Sequence, residues 1–445
     1  MTEDKNGLEY DKTSPESIYE YALKLTGKTL EEAVTLPENV VNEKNRGDLG
    51  SLVEKYFFKH QPPNTADPDF PEAGLELKTT GLVKNSKGNY KAKERLVLTM
   101  INYQGIVKED WETSSLLKKS RLMLILFYLF NKSQPVHRRR FVLKPLMYRI
   151  STSDLNVIKN DWQLIRKKVL EGRAHELSEG DTFYLGACRK GSGGPNETLQ
   201  VQPFSHEPAK TRAFSFKQGF VNKLLTGHLE GEVSLLENSD LSLEEATLNR
   251  FSEYLDLSIQ EISTRLNYFK KSENHKGFHR DLANRILSNS NQSVVELEKA
   301  GIELKTVRVN RNGKPRESMS FPAFKFMKII NEEWEDSSFF EKLEKKFLFV
   351  IFQEDLDGVE RLTKAMYWNM PYLDRMEAKR VWEKTKFQCR IDAKNLPKIS
   401  DSPVAHVRPK ARDGNDKELT PQGEMHLKQC FWLNASYISK VIASL

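Results

Sequence analysis

The chain has 445 residues, 38% of them hydrophobic and 29% charged, a balance that excludes a mainly disordered polypeptide and supplies two or three domains of ordinary size. Lys and Arg number 69 against 62 Asp and Glu, for a formal charge of +7, which suits a polyanionic partner without identifying one. Cys188, Cys389 and Cys430 show no CxxC or Cys/His ligand spacing, which argues against a disulfide framework or zinc site; the polar start MTEDKNGLEYDK lacks a secretory pattern, so a cytoplasmic location is expected.

In chain order, residues 14–60 predict helix, with Ser14-Pro15-Glu16-Ser17 as a cap region and Leu49, Leu52, Val53, Tyr56 and Phe57 recurring at three- and four-residue spacing. KHQPPNTADPDFPEAG follows as a loop. GLELKTTGL then alternates with period two, a strand signature. Apolar runs at 96–102 and 122–130 are expected to extend the same sheet; the second of these, LMLILFYLF, is about half a bilayer span and reads as a buried strand. DWQLIRKKVLEG, 161–172, predicts a helix ending at Gly172. Around 229–245, LEGEVSLLENSDLSLEE loses aromatic residues and gains acidic and small ones, as a connector would. The class is mixed α/β.

Sliding the chain against itself brings EAGLELKTTGL (72–82) onto EKAGIELKTVRV (298–309). DWETSSLLKKSRLMLILF (110–127) then answers to EWEDSSFFEKLEKKFLFVIF (333–352), and FSFKQGFVNKLL (214–225) to MHLKQCFWLNASYI (425–438). Three ordered matches indicate two diverged copies of one domain. We expect residues 1–230 as the first, 231–248 as a linker and 249–445 as the second.

In a strand, residues two apart share a face, so Glu76 and Lys78 project together while Leu75 and Leu77 face the core. Asp69 lies in the preceding loop, from which its carboxylate can bend back. Two carboxylates beside an ammonium can hold a hard divalent cation and act on a phosphate, with the lysine orienting or deprotonating a water or stabilising charge. The same residues also fit a solvated strand face. Glu54, among apolar helical positions, and the WETSS segment followed by Lys118 and Lys119 favour the chemical reading.

The stretch GDLGSLVEKYF…DPDFPEAGLELKTTGL…DWETSSLLKK resembles the MutH family of DNA endonucleases. KERLVLTMINY, GRAHELSEGDTFYLGACRKG and ESMSFPAFKF…NEEWEDS are similar to GATC-specific type II restriction endonucleases built from two MutH-like domains. The resemblance covers nearly the whole chain. It implies tandem restriction-endonuclease-like folds, each a central mixed sheet flanked by helices, with Mg²⁺-dependent hydrolysis of DNA to 5′-phosphate ends. By position it implies Glu54, Asp69 and Glu76 as metal ligands, Lys78 serving the attacking water, and Lys119 as a basic residue near the scissile phosphate.

In the second copy Glu303 and Lys305 match Glu76 and Lys78, but an ungapped alignment sets Glu296 at the place of Asp69 and Asn284 at that of Glu54, so this site is expected to be silent. AHVRPKARDGND (405–416) resembles a MutH-family loop near the recognition site. Arg408 and Lys410 are its candidate DNA contacts, with Lys428 in the LKQCFW that follows. In the first copy YLGACRKGSGG lacks the proline; Arg189 and Lys190 are the candidates, with Ser215 and Lys217 from RAFSFKQGF, where MutH-like patterns often place a tyrosine at Ser215. HRRR at 137–140 is equally a phosphate grip or a solvated run.

The resemblance implies cutting of double-stranded DNA before the G of 5′-GATC. A second copy binding another GATC as allosteric effector, a DNA-induced homodimer and a cognate adenine or cytosine methyltransferase are the expected partners. A MutH-type strand-nicking repair endonuclease and a non-catalytic DNA-binding regulator are the alternatives.

Overall fold

A computed structural model describes residues 8–42, 49–61, 63, 65–191, 198–227, 232–237, 240–272, 275, 277–288 and 292–444. Contacts divide the chain into two compact units: Met1–Leu170 with Tyr184–Cys188 and Arg212–His228, and Glu171–Phe183 with Arg189–Thr211 and Leu229–Leu445. The division therefore interleaves along the chain, where a single cut near residue 230 is expected from composition. Among the described residues no helix is long and apolar enough to cross a membrane.

In the first unit, β1 (Glu76–Lys84), β2 (Tyr90–Ala92), β4 (Leu122–Leu129) and β5 (Leu146–Arg149) form a sheet in the order β2-β1-β4-β5. LMLILFYL in β4 is buried on both faces over its first six residues, as a central strand's continuous apolar run requires. It pairs in parallel with β1, setting Glu76 opposite Met123, and antiparallel with β5. Leu75, Leu77, Leu124 and Leu126 join Ile18, Val53, Phe57 and Phe58 in one core, each such side chain contributing roughly 1.5–3 kcal/mol by leaving water. One side of β1 is thereby fixed by the core.

The run at 96–102 corrects the one-sheet expectation: β3 (Leu96–Met100) leaves that sheet and pairs antiparallel with β9 (Arg212–Phe216) in a second, β3-β9-β6, where β6 is Leu185–Arg189. The Thr152–Leu170 helix buries Val157, Ile158, Trp162, Ile165 and Val169 on one face and stops before Gly172, whose φ of +68° a side chain would resist. Its buried Asp161 accepts from the amides of Tyr184 and Leu185, fixing the entry to β6. Two short strands, β7 (Leu199–Gln200) and β8 (Ala209–Lys210), pair with each other and count with the second unit.

The second unit repeats this plan. β10 (Glu303–Val309) runs parallel to β12 (Phe347–Glu354), which pairs antiparallel with β13 (Glu360–Trp368). β11 (Met319–Ala323), β17 (Gln429–Leu433) and β14 (Ala405–Pro409) form the counterpart of β3-β9-β6, and the Tyr372–Ile391 helix stands where Thr152–Leu170 stands. A hairpin of β15 (Lys417–Leu419) and β16 (Met425–Leu427) between β14 and β17 answers to β7 and β8 between β6 and β9. Of the expected linker 231–248, residues 231 and 238–239 lie outside the described residues, and its last six are helical. A capping box between Ser242 and Glu245 starts the Leu243–Ser252 helix inside it.

Candidate active site

Six residues turn the chain back on itself ahead of β1. Phe70 and Leu75 exchange backbone hydrogen bonds around a turn closed by Gly74, whose φ is +61°. That turn brings Asp69 beside the start of the strand. Asp69 Oδ2 accepts from the Leu77 amide at 2.8 Å, and Glu76 Oε2 accepts from the Asp69 amide at 3.1 Å, so the Asp69 carboxylate holds the strand just past Glu76 and the Glu76 carboxylate holds the Asp69 backbone. The ring of His60 bonds the Asp69 carbonyl and stacks on Phe70, holding the loop from behind.

Lys78 reaches Glu76 Oε1 at 2.5 Å, confirming that the two residues share a face. Lys119 arrives from the Ser115–Ser120 helix, capped by Ser114 and leading directly into β4, and lies 3.7 Å from the same oxygen. Asp69 and Glu76 are buried, with 6% and 1% exposure. Burial pushes the Glu76 carboxyl above its ordinary range; Lys78 opposes the shift, the Asp69 charge adds to it, and Lys119 offsets part. A divalent cation would supply the positive charge that ionised Glu76 and Asp69 together call for.

Glu54 sits half-buried in a π-helical turn, Val53–Phe57, and its carbonyl accepts from the His60 amide. Among the described residues no three His, Cys, Asp or Glu side chains converge as a metal-holding group. The geometry gathers Asp69, Glu76, Lys78 and Lys119.

The second copy has been rebuilt at the same place. The hairpin that carries Asp69 is replaced by a helix, Val295–Ala300, ending at Gly301 with φ +63°. Its buried Glu296 accepts from Ser234 Oγ and from the amides of Leu235 and Leu236, so this carboxylate anchors the connector. Asn284 lies in the Phe278–Ser288 helix. Glu303 stands among Lys342 at 2.5 Å, Lys345 at 3.2 Å and Lys305 at 3.7 Å. Burial opposes ionisation of Glu303 too, but the Lys342 hydrogen bond and the charges of Lys345 and Lys305 outweigh it and hold the carboxyl below its ordinary range.

The DNA-reading candidates separate along backbone registers. In the first copy the Lys217 amide bonds the Tyr184 carbonyl and the Lys190 amide bonds that of Thr211; in the second, Asn434 bonds Val404 and Lys410 bonds Lys428. These equal ladders align Cys188 with Arg408, Lys190 with Lys410, Thr211 with Lys428 and Ser215 with Trp432. The KQ match between FSFKQGF and LKQCFW is thus six residues out of register. Arg408 is exposed and stacks over Trp432 at 3.9 Å, a pair with no counterpart in the first copy, where buried Cys188 and Ser215 occupy its positions.

Ser215 is fully buried and its hydroxyl donates to the Gly186 carbonyl, which removes it from a groove-facing role. Arg189 Nη2 donates to the Glu335 carbonyl and its guanidinium lies over Phe340. Lys190 and Lys217 are half-buried, the latter at the start of the Gln218–Thr226 helix. Lys410 donates to Ser320 Oγ and the Phe321 carbonyl, and Lys428 pairs with Asp416 at 2.5 Å. The HRRR run is largely engaged within the fold: His137 is buried, Arg138 pairs with Glu31 and Arg140 with Glu32. An open cleft of about 630 Å³ lies beside Arg408, lined also by Lys394, Lys417 and His426.

Sequence reasoning missed Trp432, His60 and the pair Lys342 and Lys345. The lysines were signalled by EKLEKKF, whose Lys342 holds the fifth helical position that Lys119 holds in SLLKKS.

The family model described as DNA mismatch repair enzyme MutH matches residues 58–161 and 286–379, so each match contains one ELK strand. The type II restriction enzyme Sau3AI of Staphylococcus aureus is 32% identical over 91% of this chain and 94% of its own. The DNA mismatch repair protein MutH of Shewanella woodyi is 26% identical over 41% of this chain and 78% of its own; that of Vibrio campbellii is 24% identical over 44% and 84%. Likeness to the restriction enzyme runs through both copies, whereas each MutH protein accounts for less than half of the chain. The chain belongs to the MutH-related family of type II restriction enzymes, as two tandem MutH-like domains.

Proposed function

We propose that this protein is a Mg²⁺-dependent type II restriction endonuclease that hydrolyses double-stranded DNA at 5′-GATC, with the first copy cutting and the second binding DNA. The observation that carries this reading is the asymmetry of the two ELK strands: Asp69, Glu76, Lys78 and Lys119 converge in the first, and a carboxylate ringed by lysines replaces them in the second.

Asp69 and Glu76 are the residues that would hold the ion, since Mg²⁺ is commonly bound through one or two carboxylates together with substrate phosphate. When bound, it supplies charge stabilisation at the phosphate and lowers the pKa of a coordinated water. The protein's own share is positional. The Gly74 turn and the Leu77 amide fix Asp69, and the ELK pleat fixes Glu76. Lys78, tied to Glu76, presents its remaining N–H donors to the attacking water or a non-bridging oxygen. Lys119 adds a second ammonium near Glu76 Oε1, at 3.7 Å. Attack at phosphorus with departure of the 3′ oxygen leaves the 5′-phosphate end.

One such site per chain cuts one strand at a time, so cleavage of a palindrome calls for two chains meeting on DNA or two successive nicks. The test is incubation with Mg²⁺ of plasmids with and without GATC, comparing the native chain with Asp69→Ala and Glu296→Ala. Linear products from the GATC plasmid, absent only for Asp69→Ala, are expected. Nicked circles alone would move the reading to a repair nickase, and binding without any cleavage to a regulator. Added uncleavable GATC duplex should accelerate cleavage if the second copy is an effector, and a host expressing the protein should need a methyltransferase acting on the same sequence.

A further inference from the structure

In the first copy, two buried carboxylates face two ammonium groups, so the site gains nothing from an anion until a cation enters. In the second, one carboxylate faces three ammonium groups, an excess of two positive charges among the described residues. The change has a structural source. Lys342 repeats Lys119, and the chain from the start of that helix to the residue opposite the ELK glutamate, Ser338 to Phe347 against Ser115 to Met123, is one residue longer. Lys345 lies in this lengthened connection. The side chains of Lys305, Lys342 and Lys345 keep 36%, 29% and 33% exposure, so a ligand can reach them.

We propose that Lys305, Lys342 and Lys345 form a metal-independent seat for one DNA backbone phosphate, the lysines of the second copy standing where the first copy requires a cation. This rests on the reading of the second copy as a DNA-binding domain. Glu303 acts as an internal counterion that holds the three ammonium groups together in free protein and competes with phosphate for them. One carboxylate is already satisfied by Lys342 alone, so the two further lysines are explained by an incoming anion. Lys305 also feels the charges of Arg280 and Lys410; burial first, and then these cations and Lys342, lower its proton affinity against the pull of Glu303. A phosphate would relieve that crowding.

The test uses the full chain in EDTA, where no cutting occurs, and a fluorescent GATC duplex whose dissociation constant is measured across a salt series. Lys342→Gln/Lys345→Gln should weaken binding about tenfold and flatten the slope of log K against log salt by about 1, the signature of a lost phosphate contact. Lys342→Arg/Lys345→Arg should restore both. Glu303→Gln should bind several-fold tighter, because the competing carboxylate is gone. An unchanged slope in a glutamine variant of native melting temperature, or weaker binding by folded Glu303→Gln, overturns the proposal, as does absence of metal-free binding by the native chain. A parallel Mg²⁺ cleavage assay separates the outcomes: cutting with an unchanged slope sinks only the phosphate seat, and no cutting at all sinks the nuclease reading.

Discussion

Glu76 and Glu303 open equivalent strands, each followed two residues later by a lysine, and their surroundings push them in opposite directions. Burial and Asp69 raise the first carboxyl, while Lys342, Lys345 and Lys305 overcome burial and lower the second. The strand is common property; the segments that flank it decide the chemistry. A hairpin delivers a second carboxylate to Glu76, and a helix withdraws the corresponding one from Glu303 and ties it to the connector. A duplicated scaffold can thus exchange paired carboxylates for a carboxylate ringed by lysines through its approach segments, with the ELK phrase intact.

The widest separation between the copies should come from the two upstream acids. Asp69→Ala is expected to lower the cleavage rate by at least about a thousand-fold, since the proposed metal ligand and the bond to the Leu77 amide are both lost. Chelation of Mg²⁺ should match it. Glu296→Ala should leave the chemical step intact and instead lower stability by about 2–3 kcal/mol, because three donors lose a buried charged acceptor. Cleavage kinetics and denaturant unfolding read the two effects separately, and cleavage lost in Glu296→Ala of native stability would show that the second site cuts.

Lys119→Ala should cost about a hundred-fold in kcat with little change in DNA affinity, as expected for a donor near the scissile phosphate. Smaller again is Arg408→Ala. Its loss should weaken duplex binding by about 1–3 kcal/mol and blunt discrimination between GATC and altered sites, measured by competition at fixed salt. Equal weakening on every sequence would make Arg408 a phosphate contact.

Much of this arrangement was legible in the sequence. Period-two alternation locates β1, the apolar run locates β4, and the repeated ELK and WE-SS phrases expose the duplication. The failures have physical reasons. Strand partnering is a tertiary choice, so nothing local announced that Leu96–Met100 would pair with β9 rather than extend the β1 sheet. An ungapped match treats a hairpin and a helix as interchangeable, and so placed Glu296 at a metal site it does not enter. The KQ dipeptide drew two strands six residues out of register, hiding the pairing of Arg408 with Trp432. Glu54 was placed by resemblance, and the π turn that carries it leaves no periodic signal over five residues.

The finest division between the copies lies in two glycines. Gly74 and Gly301 each stand two residues before the ELK glutamate, at φ +61° and +63°, and a Cβ on either would meet nothing within 4 Å. Alanine therefore meets the same obstacle in both places, the left-handed backbone alone, at about 1 kcal/mol. Melting temperatures should fall by a similar few degrees, about 2–4 °C for domains of this size. Their consequences for cleavage should nevertheless part. The Gly74 turn sets where Asp69 meets the Leu77 amide, so relaxing its strain moves the carboxylate proposed to hold the metal, and a misplacement on the order of 1 Å can cost a hundred-fold in rate. Gly301 only ends a helix whose glutamate holds a connector. Gly74→Ala should lose cleavage out of proportion to its stability, and Gly301→Ala should lose stability alone; equal loss of cleavage in the two would mean that the hairpin does not position the catalytic acid.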